Sequence, residues 1–163
     1  MLPNLEKILY TTDLGENTHI VFRYAIRLAQ QFQAQITLLY VLEPLGSYGN
    51  ALLETYLPKE TIEKLHQKGI AELRTTLLKR LDDFCRDELQ RSPIESHLIA
   101  DTQVVYGAPA QEIVKQAQMI QADLIVMGTH SYSTLNEMLI GSTARKVTQL
   151  SPIPVLIVPI NVK

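Results

Sequence analysis

Two glycines in the last third of the chain carry the first chemical signal. Leu124-Ile125-Val126-Met127-Gly128 is a short apolar run that stops at a glycine and passes into the polar residues Thr129, His130 and Ser131. Further on, Gly141-Ser142-Thr143 opens an amphipathic run. A helix start presents backbone N–H groups without intrahelical partners and the positive end of the helix dipole. A glycine beside it lets backbone approach a ligand. The chemistry this pattern suits is anion binding, and the ligand class is a phosphate-bearing small molecule, a nucleotide above others. Asp13, just after the first apolar run, adds a hydrogen-bond acceptor at the ligand-facing end of a strand. A short acid there can equally hold a turn or cap the next helix. Gly128 can likewise serve a turn alone, and Ser142 a helix cap alone. His130 has no Ser–His–acid or metal-ligand spacing around it and reads as a polar loop contact. Arg145 and Lys146 read as a solvated helix face, with phosphate contact as the alternative.

The elements that must position these residues follow from hydrophobic period. Lys7 to Thr12 reads as a strand, and Thr18 to Phe32 as a helix with Val21, Ala25, Leu28, Ala29 and Phe32 at helical spacing. Ile36 to Val41 is apolar nearly throughout, as strands covered on both faces are. Leu42 to Pro58, with Pro44, Gly46, Gly49 and Pro58, reads as a long and mobile loop. A helix over Lys59 to Gln90 follows, striped by Ile70, Leu73, Leu77, Leu81 and Phe84. A third strand falls within Ile94 to Tyr106, best over Thr102 to Tyr106. Gly107-Ala108 then turns into a helix with Pro109 at its first position. Leu124 to Met127 and Val155 to Val158 are the last strands, with a helix from Ser142 to Leu150 between them. Strand and helix alternate throughout, which implies an α/β fold with a parallel sheet, right-handed crossovers and helices on both faces. Ligands in such folds bind beyond the carboxyl ends of the strands, where strand order reverses. Asp13, Val41, Tyr106-Gly107 and Gly128 are therefore the positions of interest.

Bulk composition narrows the function classes. The 163 residues are 46% hydrophobic and 20% charged, an ordinary globular balance that fits one domain over 1–163. A formal net charge of −2 with no dense basic stripe gives nucleic-acid binding little electrostatic support. No apolar run approaches the ~18 residues of a membrane span, and the first residues lack the pattern of a signal peptide. The expected location is the cytoplasm. Cys85 is the only cysteine, which excludes an internal disulfide, and it reads as a packed thiol. Gly-Lys-Ser/Thr, Gly-x-Gly-x-x-Gly after the first strand and Gly-x-Ser-x-Gly are all absent, against a Walker-type ATPase, a dinucleotide dehydrogenase and an esterase.

Five segments in order, Lys7-Ile8-Leu9-Tyr10-Thr11-Thr12-Asp13, Gly107-Ala108-Pro109-Ala110-Gln111-Glu112-Ile113, Ala122-Asp123 through His130, Gly141-Ser142-Thr143-Ala144-Arg145-Lys146-Val147 and Pro152 through Pro159, give the chain a resemblance to the universal stress protein family. The resemblance implies a doubly wound, Rossmann-like sheet of five parallel strands in the order 3-2-1-4-5, as in adenine nucleotide alpha hydrolase-like folds. It implies ATP or another adenine nucleotide as cofactor, with Mg2+ as the accompanying ion. Asp13 would sit by the adenosine, and Val41 would offer backbone to the adenine edge. Gly128, His130, Gly141, Ser142 and Thr143 would surround ribose and phosphates, with Met127 and Ser131 as further cofactor-binding positions. It also implies a homodimer paired through the last strand, Val155 to Val158.

The ATP-binding branch of that family carries glycine, two residues, glycine, nine residues, then glycine with Ser or Thr. Gly128 and Gly141-Ser142 match, and Ser131 stands where the middle glycine would be. A Cβ at a left-handed position costs about 1–2 kcal/mol, roughly tenfold in affinity if the strain is met on binding. A serine hydroxyl could also donate to a phosphate. Three readings therefore stay open: a cytosolic stress-response protein that binds an adenine nucleotide as a conformational signal, a non-binding dimeric interaction protein, and a weak ATP hydrolase. The sequence names no protein partner.

Overall fold

The computed structural model describes residues 2–91, 95–129 and 140–160. The apolar runs pair into one sheet of five strands, β1 (Lys7–Thr11), β2 (Gln35–Leu42), β3 (Ile99–Tyr106), β4 (Leu124–Gly128) and β5 (Val155–Val158). Every pairing is parallel, and the order is β3-β2-β1-β4-β5. The helices are α1 (Thr18–Phe32), α2 (Ser47–Tyr56), α3 (Lys59–Arg91), α4 (Pro109–Met119) and α5 (Ser142–Leu150).

Side chains alternate across a strand, so each strand feeds two cores. Ile8, Tyr10, Ile36, Leu38 and Val126 pack with Val21, Phe22, Ala25 and Ala29 of α1 and with Leu77 and Leu81 of α3. Leu9, Leu39, Ile125 and Met127 pack with Ala110, Ile113 and Ala117 of α4 and with Ala144 and Val147 of α5. A sheet buried on both faces needs apolar residues at nearly every central strand position, which is the pattern β1, β2 and β4 carry, while the edge strand β3 holds Asp101, Thr102 and Gln103. Among the described residues Gln103 Oε1 on β3 is a buried side-chain polar atom without a partner, whereas two polar side chains at the core are well placed. Glu88, 5% exposed, accepts from Arg23 Nε at 3.0 Å and so ties α3 to α1. The fully buried Tyr10 donates its hydroxyl to the Thr18 carbonyl at 3.1 Å, and burial pushes its phenol up to about 12. Cys85 is a packed thiol, held up at about 12 by burial and by the charge of Asp82.

Three sequence expectations are corrected. The segment Leu42 to Pro58 is not a continuous loop, because Ser47–Tyr56 forms α2. Gly46 is the extended N-cap of that helix (φ −60°, ψ 159°), and Gly49 is accommodated within its first turn. Phe32, expected on the buried stripe of α1, is 54% exposed at the last turn, beside a left-handed C-cap at Gln33. The stripe of α3 is buried only from Leu77 onward, and Leu73 is 45% exposed. The first half of α3 extends past the sheet that would cover it.

Candidate functional site

The chain runs outward from β1 to β2 and β3 in one direction, then crosses back to β4 and β5 on the other side of β1. This reversal leaves a crevice at the carboxyl ends of β1 and β4, the place where such sheets take ligands. The crevice is present as a cleft of about 330 Å³, bounded by the described residues. Of the sequence-predicted site residues it gathers Asp13, Val41, Met127, Gly128, Gly141, Ser142 and Thr143. His130 and Ser131 lie outside the described residues. Arg145 and Lys146 are exposed and do not line the cleft.

The acid side is built by the turn after β1. The Thr12 hydroxyl accepts from the Leu14 N–H at 2.9 Å and is hydrogen-bonded to the Thr18 hydroxyl. Asp13 Oδ1 accepts from the Gly15 N–H at 2.9 Å, which closes an Asx-type turn, and Leu14 takes a left-handed φ of 57° to complete it. The two sequence readings of Asp13 are thus compatible: one carboxylate oxygen holds the turn while the residue lines the cleft.

The floor is Gly128. It has no need of glycine for its own backbone angles, since among the described glycines only Gly107 takes a positive φ, 156°. Space is the constraint. The Thr129 N–H donates to the Val158 carbonyl at 3.1 Å, and the Thr129 hydroxyl accepts from the Ile160 N–H at 2.9 Å. These bonds fold Ile160 over the end of β4. A Cβ on Gly128 would stand 2.6 Å from Ile160 Cδ1 and 2.8 Å from Val21 Cγ2. The glycine therefore lets three elements meet at the bottom of the cleft.

The far wall is the start of α5. Gly141 is its N-cap, extended at φ −57° and ψ 157°, and donates no side-chain cap. The Arg145 N–H is bonded to the Gly141 carbonyl at 3.0 Å, so the helical ladder begins there. The N–H groups ahead of it belong to the orphan set of any helix start. No acidic residue occupies the first turn, so the dipole end is not offset by a local carboxylate. Together the two walls present an acceptor beyond β1 and a donor cluster beyond β4. A molecule with hydroxyl or amino donors at one end and phosphate at the other matches that polarity.

Sequence reasoning missed Thr12, Tyr40, Glu43, Thr129 and Ile160, all of which line the cleft. Thr12, Glu43 and Thr129 each lie one residue past a strand end and Tyr40 two residues before one, so the rule that pointed to Asp13 and Val41 reaches these four. Ile160 has no such signal, because it arrives by a bend after β5.

The universal stress protein family model matches residues 4–159. Universal stress protein MJ0531 of Methanocaldococcus jannaschii is 31% identical over 153 residues, 94% of this chain and 81% of that protein. Among solved structures, the universal stress protein UspA from Lactobacillus plantarum superposes with a TM-score of 0.70 at 25% identity, over 96% of this chain and 99% of that one. A universal stress protein in complex with cAMP has a TM-score of 0.60 at 22% identity, over 96% and 98% of the two chains. With its sheet order, its cleft and its matched length, the chain belongs to the universal stress protein family.

Proposed function

We propose that this chain binds ATP or a related adenine nucleotide in the cleft and acts as a cytoplasmic stress-response protein whose bound state is its signal. The observation that carries the reading is the convergence of Asp13, Val41, Gly128 and Gly141–Thr143 on one crevice with an acceptor wall and a helix-start wall. In this reading Asp13 accepts from the ribose or the adenine, the start of α5 takes the phosphates, and Mg2+ travels with them. A ligand held by both walls favours one arrangement of them, and a partner protein reads that arrangement. The solved relative in complex with cAMP shares the fold. It speaks to the fold only, and the weight of the reading rests on the cleft.

The test is chemical. Freshly purified protein is denatured and released small molecules are identified by mass spectrometry. ATP, ADP, AMP and cyclic AMP are then titrated with magnesium by calorimetry. About one nucleotide per chain is the expected result. No release and no heat at millimolar ligand would overturn the reading. It would select the second one, a non-binding interaction protein, which Ser131 in the place of the middle glycine favours.

We also propose a homodimer paired through β5. Among the described residues β5 pairs only with β4, and an open strand edge calls for cover. The carbonyls of Pro154 and Val158 accept from Ile125 and Thr129 at 2.9 and 3.1 Å, so these residues turn their polar groups toward β4. By the alternation of a strand, Ile157 turns its own outward. Ile157→Pro removes one outward donor and leaves the β4 ladder intact. Light scattering is expected to give the mass of two chains for the parent and one for the variant. An unchanged dimer would place the interface elsewhere.

A further inference from the structure

The stripe on α3 continues beyond its buried half. Ile62, Leu65, His66, Gly69, Ile70 and Leu73 recur at three- and four-residue spacing, which sets them on one helix face. No residue of α3 before Leu77 is buried, so this face does not rest on the core. It forms one wall of a second cavity of about 370 Å³. Leu53 of α2 and Leu57 form another wall, and Leu42 and Tyr106 close it at the ends of β2 and β3. Polar groups enter in two places. The Tyr106 hydroxyl lies 3.4 Å from His66 Nε2, with the rings edge-on at 6.1 Å. Glu43 lines this cavity as well as the cleft.

We propose that this cavity is a second ligand site, for a small and mostly apolar molecule that carries a neutral hydroxyl. Its apolar body lies against Leu53, Ile70 and Leu73, and its hydroxyl meets the His66–Tyr106 pair. Apolar lining with a few convergent polar groups, in a volume of several hundred Å³, is the make-up of small-molecule sites. Glu43 at the cavity works against an anionic head group. The glycine at the centre of the face also fits. Gly69 has no atom within 4 Å of where a Cβ would stand. It weakens α3 by about 1 kcal/mol relative to alanine and keeps the cavity open. The site does not depend on nucleotide binding in the cleft.

The neutral fluorophore N-phenyl-1-naphthylamine tests this on the full chain. Saturable binding of about one probe per chain is expected. Gly69→Leu should weaken it by about tenfold or more, because leucine fills the space the probe needs. That variant gains helix propensity, so an unchanged or higher melting temperature shows that the fold is intact. In competition, 2-naphthol should displace the probe at about tenfold lower concentration than 2-naphthoate, and Tyr106→Phe should narrow that gap. Equal binding by Gly69→Leu would put the probe outside the cavity and overturn the site. Naphthoate competing as well as naphthol would overturn the head-group assignment. Probe exclusion on self-association would give the cavity to a second copy of the chain and also overturn it.

Discussion

Phe22→Ala is expected to lower the unfolding free energy by about 3–5 kcal/mol, the largest single stability effect we anticipate. Phe22 is fully buried. Its ring centroid lies 5.1 Å from that of Tyr10 on β1, tilted by 39°, and 5.1 Å from that of Phe84 on α3, tilted by 51°. One side chain thus joins the sheet and both helices of its layer. Removing it costs the transfer energy of the ring and leaves a cavity that three rigid elements cannot close. Offset aromatic pairs contribute beyond their buried area. Phe32→Ala on the same helix is the control. With Phe32 at 54% exposure, its loss should stay near 0.5 kcal/mol. Urea unfolding with an unchanged m-value measures both. A loss under about 1.5 kcal/mol for Phe22→Ala would mean that the layer repacks, and that the three-element junction is not what holds α1 and α3 on the sheet.

Thr143→Glu is expected to move stability and ligand affinity in opposite directions. Thr143 is in the first turn of α5, half-buried, and lines the cleft. A carboxylate there complements the dipole and should raise stability by about 0.3–1 kcal/mol. The same charge would face the phosphates of a nucleotide held at the helix start. Like charges near a protein surface at about 4 Å repel by up to ~4 kcal/mol, and partial solvation reduces this. Nucleotide affinity should then fall by roughly thirtyfold to a hundredfold. Calorimetry on the parent and the variant, with thermal unfolding alongside, reads both quantities. Unchanged affinity in a stable variant would remove α5 from the phosphate site even if nucleotide still bound. A variant that lost both stability and affinity would point to Thr143 as a packing residue.

Fold and site differ in how far they could be read from the residues. The continuous apolar character of Ile36 to Val41 and Leu124 to Met127 required a sheet covered on both faces, and the observed cores on the two sides are that requirement met. Pro109 at a helix start and Val155–Val158 before Pro159 are local signals, and each lies where the chain shows it. Segment Ser47–Tyr56 failed because glycine and proline are read as breakers, whereas here they stand mostly at helix edges. The stripe on α3 could be seen, but what it faces could not: Leu77 and Leu81 rest on the core while Ile70 and Leu73 line an open cavity.

The sequence by itself determined the order of elements apart from α2, the parallel sheet and the strand-end positions that a ligand would meet, because hydrophobic period and turn chemistry act over a few residues. Only the tertiary structure decided that Asp13, Gly128 and Gly141 share one cleft, since they meet through the crossover that sets β4 beside β1. It alone showed that Gly128 is needed for the approach of Ile160 and Val21, a contact between residues far apart in the chain that no local pattern encodes. It alone exposed the cavity between α2 and α3, because whether an apolar face is covered depends on how far a helix runs past its sheet, and that is set by packing, not by period.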